Sequence, residues 1–256
     1  SGVELQTRVI PIQNKDWQWS LSLNYSYNKN KIKKISNALK EQNEQNQKKG
    51  GIVPLPIYEE GQSLTAIKVV PSAGIDPVTG NEIFIKRDGS YTMTYDANDK
   101  VIFGDSTPFG IGSLSSYLTY KQFSLGTSFR YSFGGSIYNQ TLATKVEGSD
   151  PRYNADERVF NDRWKQPGDI AKYKKISDSS VPQQTSRFIQ TNNYITLSSL
   201  SLAYEVPAEK LKKLGLRRLH LEMIANDLFY WSTAKRERGL SYPYDRSIEF
   251  SARFSL

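Results

Sequence analysis

The sequence predicts an all-β, antiparallel fold: a transmembrane β-barrel segment of about nine strands from a larger closed wall, with long loops on the extracellular side. Three observations carry this expectation. Apolar and polar residues alternate with a period of two over runs longer than a soluble strand needs, aromatic rings gather at the ends of the apolar stripe, and short and long connections alternate along the chain.

Each strand can be justified in turn. Residues 2–13 read as a first strand, and Gln13-Asn14-Lys15-Asp16 as a turn into residues 17–28. There Trp17, Trp19, Leu21, Leu23, Tyr25 and Tyr27 share one parity, and Gln18, Ser20, Ser22, Asn24, Ser26 and Asn28 the other. Successive strand side chains point to opposite faces, so one face is apolar and the other small and polar. Residues 64–73 and 81–87 are expected as strands flanking a turn at Gly74-Ile75-Asp76-Pro77-Val78-Thr79-Gly80. Residues 111–120 run through Lys121-Gln122 into 123–136, where Phe123, Leu125, Thr127, Phe129, Tyr131 and Phe133 oppose Ser124, Gly126, Ser128, Arg130, Ser132 and Gly134. In 192–206 the apolar parity switches at Ser198-Ser199, which predicts a bulge. In 216–231 the stripe from Leu219 to Trp231 is interrupted by Asp227. The last strand, 247–256, sets Ile248, Phe250, Ala252, Phe254 and Leu256 against Glu249, Ser251, Arg253 and Ser255.

Length decides between architectures. Soluble strands average about 5–6 residues, whereas a tilted membrane-crossing strand needs about 9–11. Short connections fall at 13–16, 74–80, 120–123 and 207–215, and long ones at 29–63, 88–110, 137–190 and 232–246. Outer-membrane barrels put short turns on the periplasmic side and long loops outside. With the C-terminus on the periplasmic side, every short connection lands there. An odd strand count, in a class with even numbers, points to a piece of a larger barrel.

Composition removes other classes. The 256 residues contain no cysteine, which excludes disulfide scaffolds, thiol nucleophiles and thiolate metal sites. His220 is the only histidine, so no His-rich metal site is possible and no His-based triad is expected. No apolar run is long enough for a spanning helix, which leaves a barrel open. Ser1-Gly2-Val3-Glu4-Leu5 lacks the features of a signal peptide, so a mature or truncated form is expected. The net charge of +8 is spread over runs such as Lys29–Lys34 and Lys210–Arg218 in loops and turns, which reads as solvated charge and not as a nucleic-acid surface. Glu4, Glu205, Glu222 and Glu249 lie on strands without the pairing a glycosidase needs. Asp88-Gly89-Ser90 and Asp96-Ala97-Asn98-Asp99 lack EF-hand spacing and read as turns. No enzyme activity, catalytic residue, cofactor or metal is expected. Trp164, Trp231, Tyr242 and Tyr244, in or beside long outer loops, are the substrate-binding candidates, since sugar rings stack on aromatics. The plainer reading makes them interfacial anchors or loop packing.

Several stretches together resemble one family. Gly2-Val3-Glu4-Leu5, Trp17-Gln18-Trp19-Ser20, Asn24-Tyr25-Ser26-Tyr27-Asn28-Lys29-Asn30-Lys31, the Gly74–Gly80 turn, Phe103-Gly104-Asp105-Ser106-Thr107-Pro108, Tyr120-Lys121-Gln122-Phe123-Ser124-Leu125, Arg163-Trp164, Asn193-Tyr194-Ile195-Thr196-Leu197 and Asn226-Asp227-Leu228-Phe229 occur in its order and spacing. The chain is similar to the C-terminal barrel portion of SusC/RagA-type TonB-dependent outer-membrane transporters. That resemblance implies a barrel of about 22 strands around an N-terminal plug. It also implies contact with outer-membrane lipid, a SusD-like surface lipoprotein, TonB acting through the plug, and import of oligosaccharides or peptides. The chain departs from the pattern in three places: plug, TonB box and first strands are absent, the end Phe254-Ser255-Leu256 is not aromatic, and the Gln/Asn/Lys/Glu-rich stretch 38–49 matches nothing in the family. The residues alone leave two alternatives: a secreted soluble β-rich carbohydrate-binding module or adhesin, which needs two packed sheets, and a secreted β-rich hydrolase.

Overall fold

The computed structural model describes residues 1–150, 152–153, 155–212, 215–235 and 246–255. In chain order they form β1 (Gly2–Gln13), β2 (Trp17–Asn28), helix α1 (Asn37–Lys48), five short strands, and then five long ones. The short strands are β3 (Ala66–Val69), β4 (Ser72–Ile75), β5 (Glu82–Ile85), β6 (Tyr91–Thr92) and β7 (Val101–Asp105). The long ones are β8 (Gly110–Tyr120), β9 (Phe123–Tyr138), β10 (Ile189–Glu205), β11 (Arg218–Ser232) and β12 (Ser247–Ser255).

The chain divides into two compact units. The first, 1–28, 108–134 and 192–256, holds a sheet ordered β1-β2-β8-β9-β10-β11-β12. Consecutive long strands pair antiparallel in β1–β2, β2–β8, β8–β9, β10–β11 and β11–β12. Strand lengths of 9 to 17 residues match the membrane-crossing class. Seven of the nine expected strands therefore make the wall. The other two, 64–73 and 81–87, do not join it. Residues Lys68, Val69 and Val70 are buried on both parities, unlike a wall strand. Pro71, without an N–H, then separates β3 from β4. β3 pairs with β7, while β4, β5 and β6 form a separate small sheet. The 74–80 turn consequently lies inside one long connection from β2 to β8.

Two local irregularities in the wall have chemical causes. In β1 the register slips between Val9 and Ile12, placing Pro11 at a bulge on an edge strand, where a missing donor is tolerated. In β10–β11 it slips between Leu197 and Ser199, at the expected place. The extra residue sits on β11, where Asp227 adopts φ 53°, a left-handed conformation that Asp tolerates better than most residues.

The second unit, 29–107 and 135–191, is built from the long connections. One apolar cluster in it joins Leu142, Ala143, Val146, Val159, Tyr173 and Phe188, and Ile57, Val69, Val70, Ile75 and Phe84 are buried as well. Charge supplies the rest. Arg187 donates to both oxygens of Glu82 at 2.7 Å and to both oxygens of Glu147 at 2.8 and 2.9 Å. All three side chains are buried, so one guanidinium ties together segments 105 and 40 residues apart in sequence. Burial opposes the charge, yet the bonds to Glu82 and the fields of Glu147 and Glu82 raise the Arg187 pKa above its ordinary value.

Helix α1, Asn37–Lys48, takes up most of the Gln/Asn/Lys/Glu-rich stretch 38–49. Ser36 caps it by accepting from the Leu39 amide at 3.2 Å. Its inner face carries amides where a core helix carries leucines: Asn43, Asn46 and Gln47, at i, i+3 and i+4. Asn43 pairs with both the N–H and the C=O of Tyr58, Asn46 donates to the Pro56 carbonyl at 2.8 Å, and Gln47 to the Ala97 carbonyl at 2.7 Å. The buried Lys100 ammonium closes the C-terminal end, donating to the Asn46 and Lys49 carbonyls at 3.2 and 2.7 Å.

Two predictions follow from these polar ties. Arg187→Ala leaves two buried carboxylates uncompensated and destabilises the loop unit by about 3–5 kcal/mol; hydrogen exchange of residues 139–148 and 185–191 will report it as lost protection. Burial pushes the Lys100 pKa down from 10.5 to about 8. The neutral amine is thus favoured in the folded unit, and an unfolded lysine binds more protons between those two values. Protection of α1 should rise as pH increases from about 8 toward 10.5, once corrected for intrinsic exchange. Lys100→Met, uncharged throughout, should abolish that slope.

Candidate functional site

The functional surface of the first unit is the sheet itself, because its two faces are chemically unlike. The polar parity is stitched laterally in register. Asn24 Nδ2 donates to Ser113 Oγ at 3.0 Å, Ser115 and Ser128 hydroxyls meet at 3.4 Å, and Thr119 and Ser124 at 3.3 Å. Each is a directly opposed pair in the ladder. Toward the short-connection end this face carries a charged ladder across β10, β11 and β12. Arg218 bonds Glu205 at 2.7 Å, His220 Nδ1 meets the same carboxylate at 3.0 Å, and Arg253 bonds Glu222 at 2.7 Å. His220 therefore stands between two carboxylates that each hold an arginine.

The other parity is apolar and uncovered. Leu23, Leu114, Leu125, Leu202 and Leu221 are 37–45% exposed, and Phe250 is 79% exposed. Trp19, Leu21 and Phe129 are half-buried and none of them is in a dry interior. A soluble sandwich hides this face against a second layer; here nothing among the described residues covers it. Rings border it at both ends. Trp17 packs on Tyr120 and Phe123 on Tyr204, with centroids 4.1 and 4.7 Å apart, beside the short connections. Near the long connections Tyr25 lies over Gly110 and Tyr131 over Gly112, and Tyr131 Oη donates to the Asn24 carbonyl at 2.8 Å. Trp17 and Tyr25 are eight residues apart, about 26 Å along an extended strand, close to the roughly 25 Å apolar band of outer-membrane barrels.

The structure separates the ring candidates. Trp164 belongs to the loop unit, where its indole lies flat against Gly80 and Nε1 donates to the Pro77 carbonyl at 2.9 Å. It braces the 74–80 turn, whose Asp76 accepts from Val78, Thr79 and the Thr79 hydroxyl. Trp231 belongs to the wall, opposite Ile195 and half exposed. Tyr242 and Tyr244 lie outside the described residues. The neighbouring Arg163, read only as half of an Arg-Trp pair, is buried and donates to the carbonyls of Val146, Glu147 and Lys175. Asp88 and Asp96 accept from the amides of Ser90 and Asn98, as turn residues do. The sequence reading missed a groove of about 640 Å³ on the wall, lined among others by Glu4, Arg130 and Tyr194. Among the described residues no group of three or more His, Asp or Glu could hold a metal ion.

Long antiparallel strands, one bare apolar face bordered by rings, one wet face, and long connections at one end define the wall of a transmembrane β-barrel. No family model matches the chain. Over 157 residues it is 27% identical to a TonB-dependent receptor of Formosa agariphila, and over 164 residues 29% identical to a second, covering 60% and 61% of this chain. Among solved structures, the RagAB peptide importer in its open-open state superposes over 100% of the chain with TM-score 0.78 at 21% identity. A RagAB peptide transporter superposes over 91% with TM-score 0.74 at 22% identity. The chain spans 15% of the length of those curated relatives and 28% and 26% of the two solved chains. The chain is thus similar to part of these TonB-dependent receptors and shares its fold with part of the RagAB chains.

Gly80 offers a local test of the Trp164 contact. At φ 70°, with an added Cβ 2.5 Å from the indole, Gly80→Ala must both strain the backbone and displace the ring. Trp164 fluorescence should shift to the red, and the turn should lose about 1–3 kcal/mol.

Proposed function

We propose that this chain is wall and outer mouth of a nutrient importer in the bacterial outer membrane. The bare apolar parity meets acyl chains, and the serine- and asparagine-rich parity lines the aqueous passage. The chain supplies the C-terminal part of the barrel. The preceding strands and the plug come from the rest of the protein and complete the hydrogen bonding of the outer edges of β1 and β12, which lipid cannot satisfy. The loop unit forms part of the extracellular mouth and docks a SusD-like surface lipoprotein. TonB supplies energy through the plug, and the cargo is an oligosaccharide or a peptide. The chain performs no catalysis in this scheme. Trp231 serves as an interfacial ring, and Tyr242 and Tyr244 are kept as mouth residues for ligand contact.

The observation that carries the proposal is the exposed apolar face. Its magnitude matters: a leucine left in water forfeits about 1.5–3 kcal/mol that burial would recover, and here a whole stripe is bare. Leu114 and Ser115 are neighbours on opposite faces of β8. Leu114→Arg puts a guanidinium in hydrocarbon and should destabilise the assembled barrel by about 2–4 kcal/mol. Ser115→Arg, facing water, should leave assembly unchanged. Heat-modifiable migration of the whole transporter from outer membranes measures both. Equal tolerance of the two substitutions would overturn the membrane reading.

A further inference from the structure

We propose that helix α1 is a strap: it opens and recloses as one piece while the rest of the loop unit stays folded, and its opening uncovers the Lys100 ammonium. The inference goes beyond the transport reading and does not depend on it, since it concerns the loop unit alone.

The strap is held by hydrogen bonds without burial. No residue of α1 is buried, and Leu39 is the one apolar side chain on its half-buried face, beside Asn43, Asn46 and Gln47. The helical turn Leu142–Glu147 is held otherwise, with Leu142, Ala143, Val146 and Glu147 all buried. A surface hydrogen bond exchanges a water partner for a protein one and contributes little net, whereas apolar burial is the dominant favourable term in folding. Stability is therefore uneven across the unit, and α1 is the part that opens first. Its own sequence adds no reserve. A helix of 12 residues is marginal in isolation, and Asn37, Asn43 and Asn46 are poor helix formers, so α1 melts as it undocks.

Both flanks suit such a motion. Upstream, Ile32 is fixed to the 61–62 turn, donating to the Gln62 carbonyl at 2.9 Å and accepting from Gly61 at 2.8 Å. Downstream, the Ile52 carbonyl accepts from Tyr138 Oη at 2.6 Å. The lighter ties between those anchors are single bonds, Ile35 to Glu60 Oε1 at 3.1 Å and Gly51 to Gln183 Oε1 at 3.3 Å. Gly50 and Gly51 follow the helix directly. Gly51 has φ 115°, a conformation that glycine adopts without strain, and a Cβ there would meet nothing within 4 Å. This pair is the hinge.

Lys100 is what the strap covers. It is 1% exposed, and its ammonium bonds carbonyls at the end of the strap, Asn46 and Lys49, with no carboxylate on it among the described residues. Gln184 Nε2 shares the Lys49 carbonyl at 3.3 Å. A buried charge answered by dipoles alone opposes closure, and opening returns it to water. Closure gains the bonds of Asn43, Asn46, Gln47 and Lys100 and gives up the hydration of one cation. No large apolar contribution tips that balance, which leaves the strap poised.

The test uses the whole protein and two readouts: hydrogen exchange of residues 41–48, and acetylation of Lys100 by N-hydroxysuccinimidyl acetate, located by mass spectrometry. Exchange in α1 is expected to be about a hundredfold or more faster than in 142–148 and 185–188. Lys100 is expected to react through the same opening, at the open fraction that exchange of α1 gives. Asn43→Ala removes both bonds to Tyr58 and should raise both rates by about tenfold, although alanine is the better helix former. Gln42→Ala, on the exposed side, should slow both or leave them unchanged, and neither variant should alter exchange of 142–148. A common exchange rate for α1 and 142–148, an unreactive Lys100 beneath a strap that exchanges, indifference of both rates to Asn43→Ala, or an equal rise in 142–148 in that variant would each overturn the inference.

Discussion

One constraint organises the first unit: a sheet of long strands presents an apolar face that none of the described residues buries. Hydrophobic burial is ordinarily the dominant favourable term in folding, and here the chain leaves it unused on one side. Hydrocarbon solvent removes the contradiction. It accepts the leucines and phenylalanines without a second protein layer, and it demands that backbone groups be satisfied within the sheet, which the ladders do everywhere between the outer edges of β1 and β12. The rings at either end follow from the same cause, since Trp and Tyr combine an apolar body with a polar tip and settle where the two solvents meet.

The loop unit solves a different problem. Its segments are polar and its apolar core has few members, so long-range ties fall to charge and amide groups. Arg187 joins Glu82 and Glu147, Arg163 collects three carbonyls, and the α1 amides copy strand-like bonding onto the edge of Tyr58. A buried donor or acceptor that loses its partner in such an interior destabilises by more than the bond contributed. The described connections of this unit, 29–107 and 135–191, are therefore folded structure, although their composition resembles that of open loops.

How much of this was legible follows from range. Period-two alternation is local, so the bounds of β1 and β2 could be read to the residue, and the bulge near Ser198 announced itself as a parity switch. The stretch 64–73 carries apolar residues on both parities, Leu64, Ala66 and Val70 on one and Ile67 and Val69 on the other, and its two-sided burial depends on neighbours distant in sequence. The Gln/Asn-rich stretch 38–49 gave no apolar stripe to read, since its packing face is made of amides whose partners, Tyr58, Pro56 and Ala97, are set by the fold. Trp164 drew notice as an exposed ring, whereas its contact with Gly80 exists only because two remote loops meet.

The sequence by itself determined the strand material: which residues extend, which parity is apolar, where rings stop, and that neither thiol nor imidazole chemistry is available. Those properties reside in neighbouring residues and their covalent geometry. Only the tertiary structure decided that seven strands share one sheet, that Arg218 meets Glu205 and Arg253 meets Glu222, and that one guanidinium ties Glu82 to Glu147 in the loop unit. Pairing of charges and membership in a sheet are relations between segments far apart along the chain, and their energies arise only once folding has brought those segments within bonding distance.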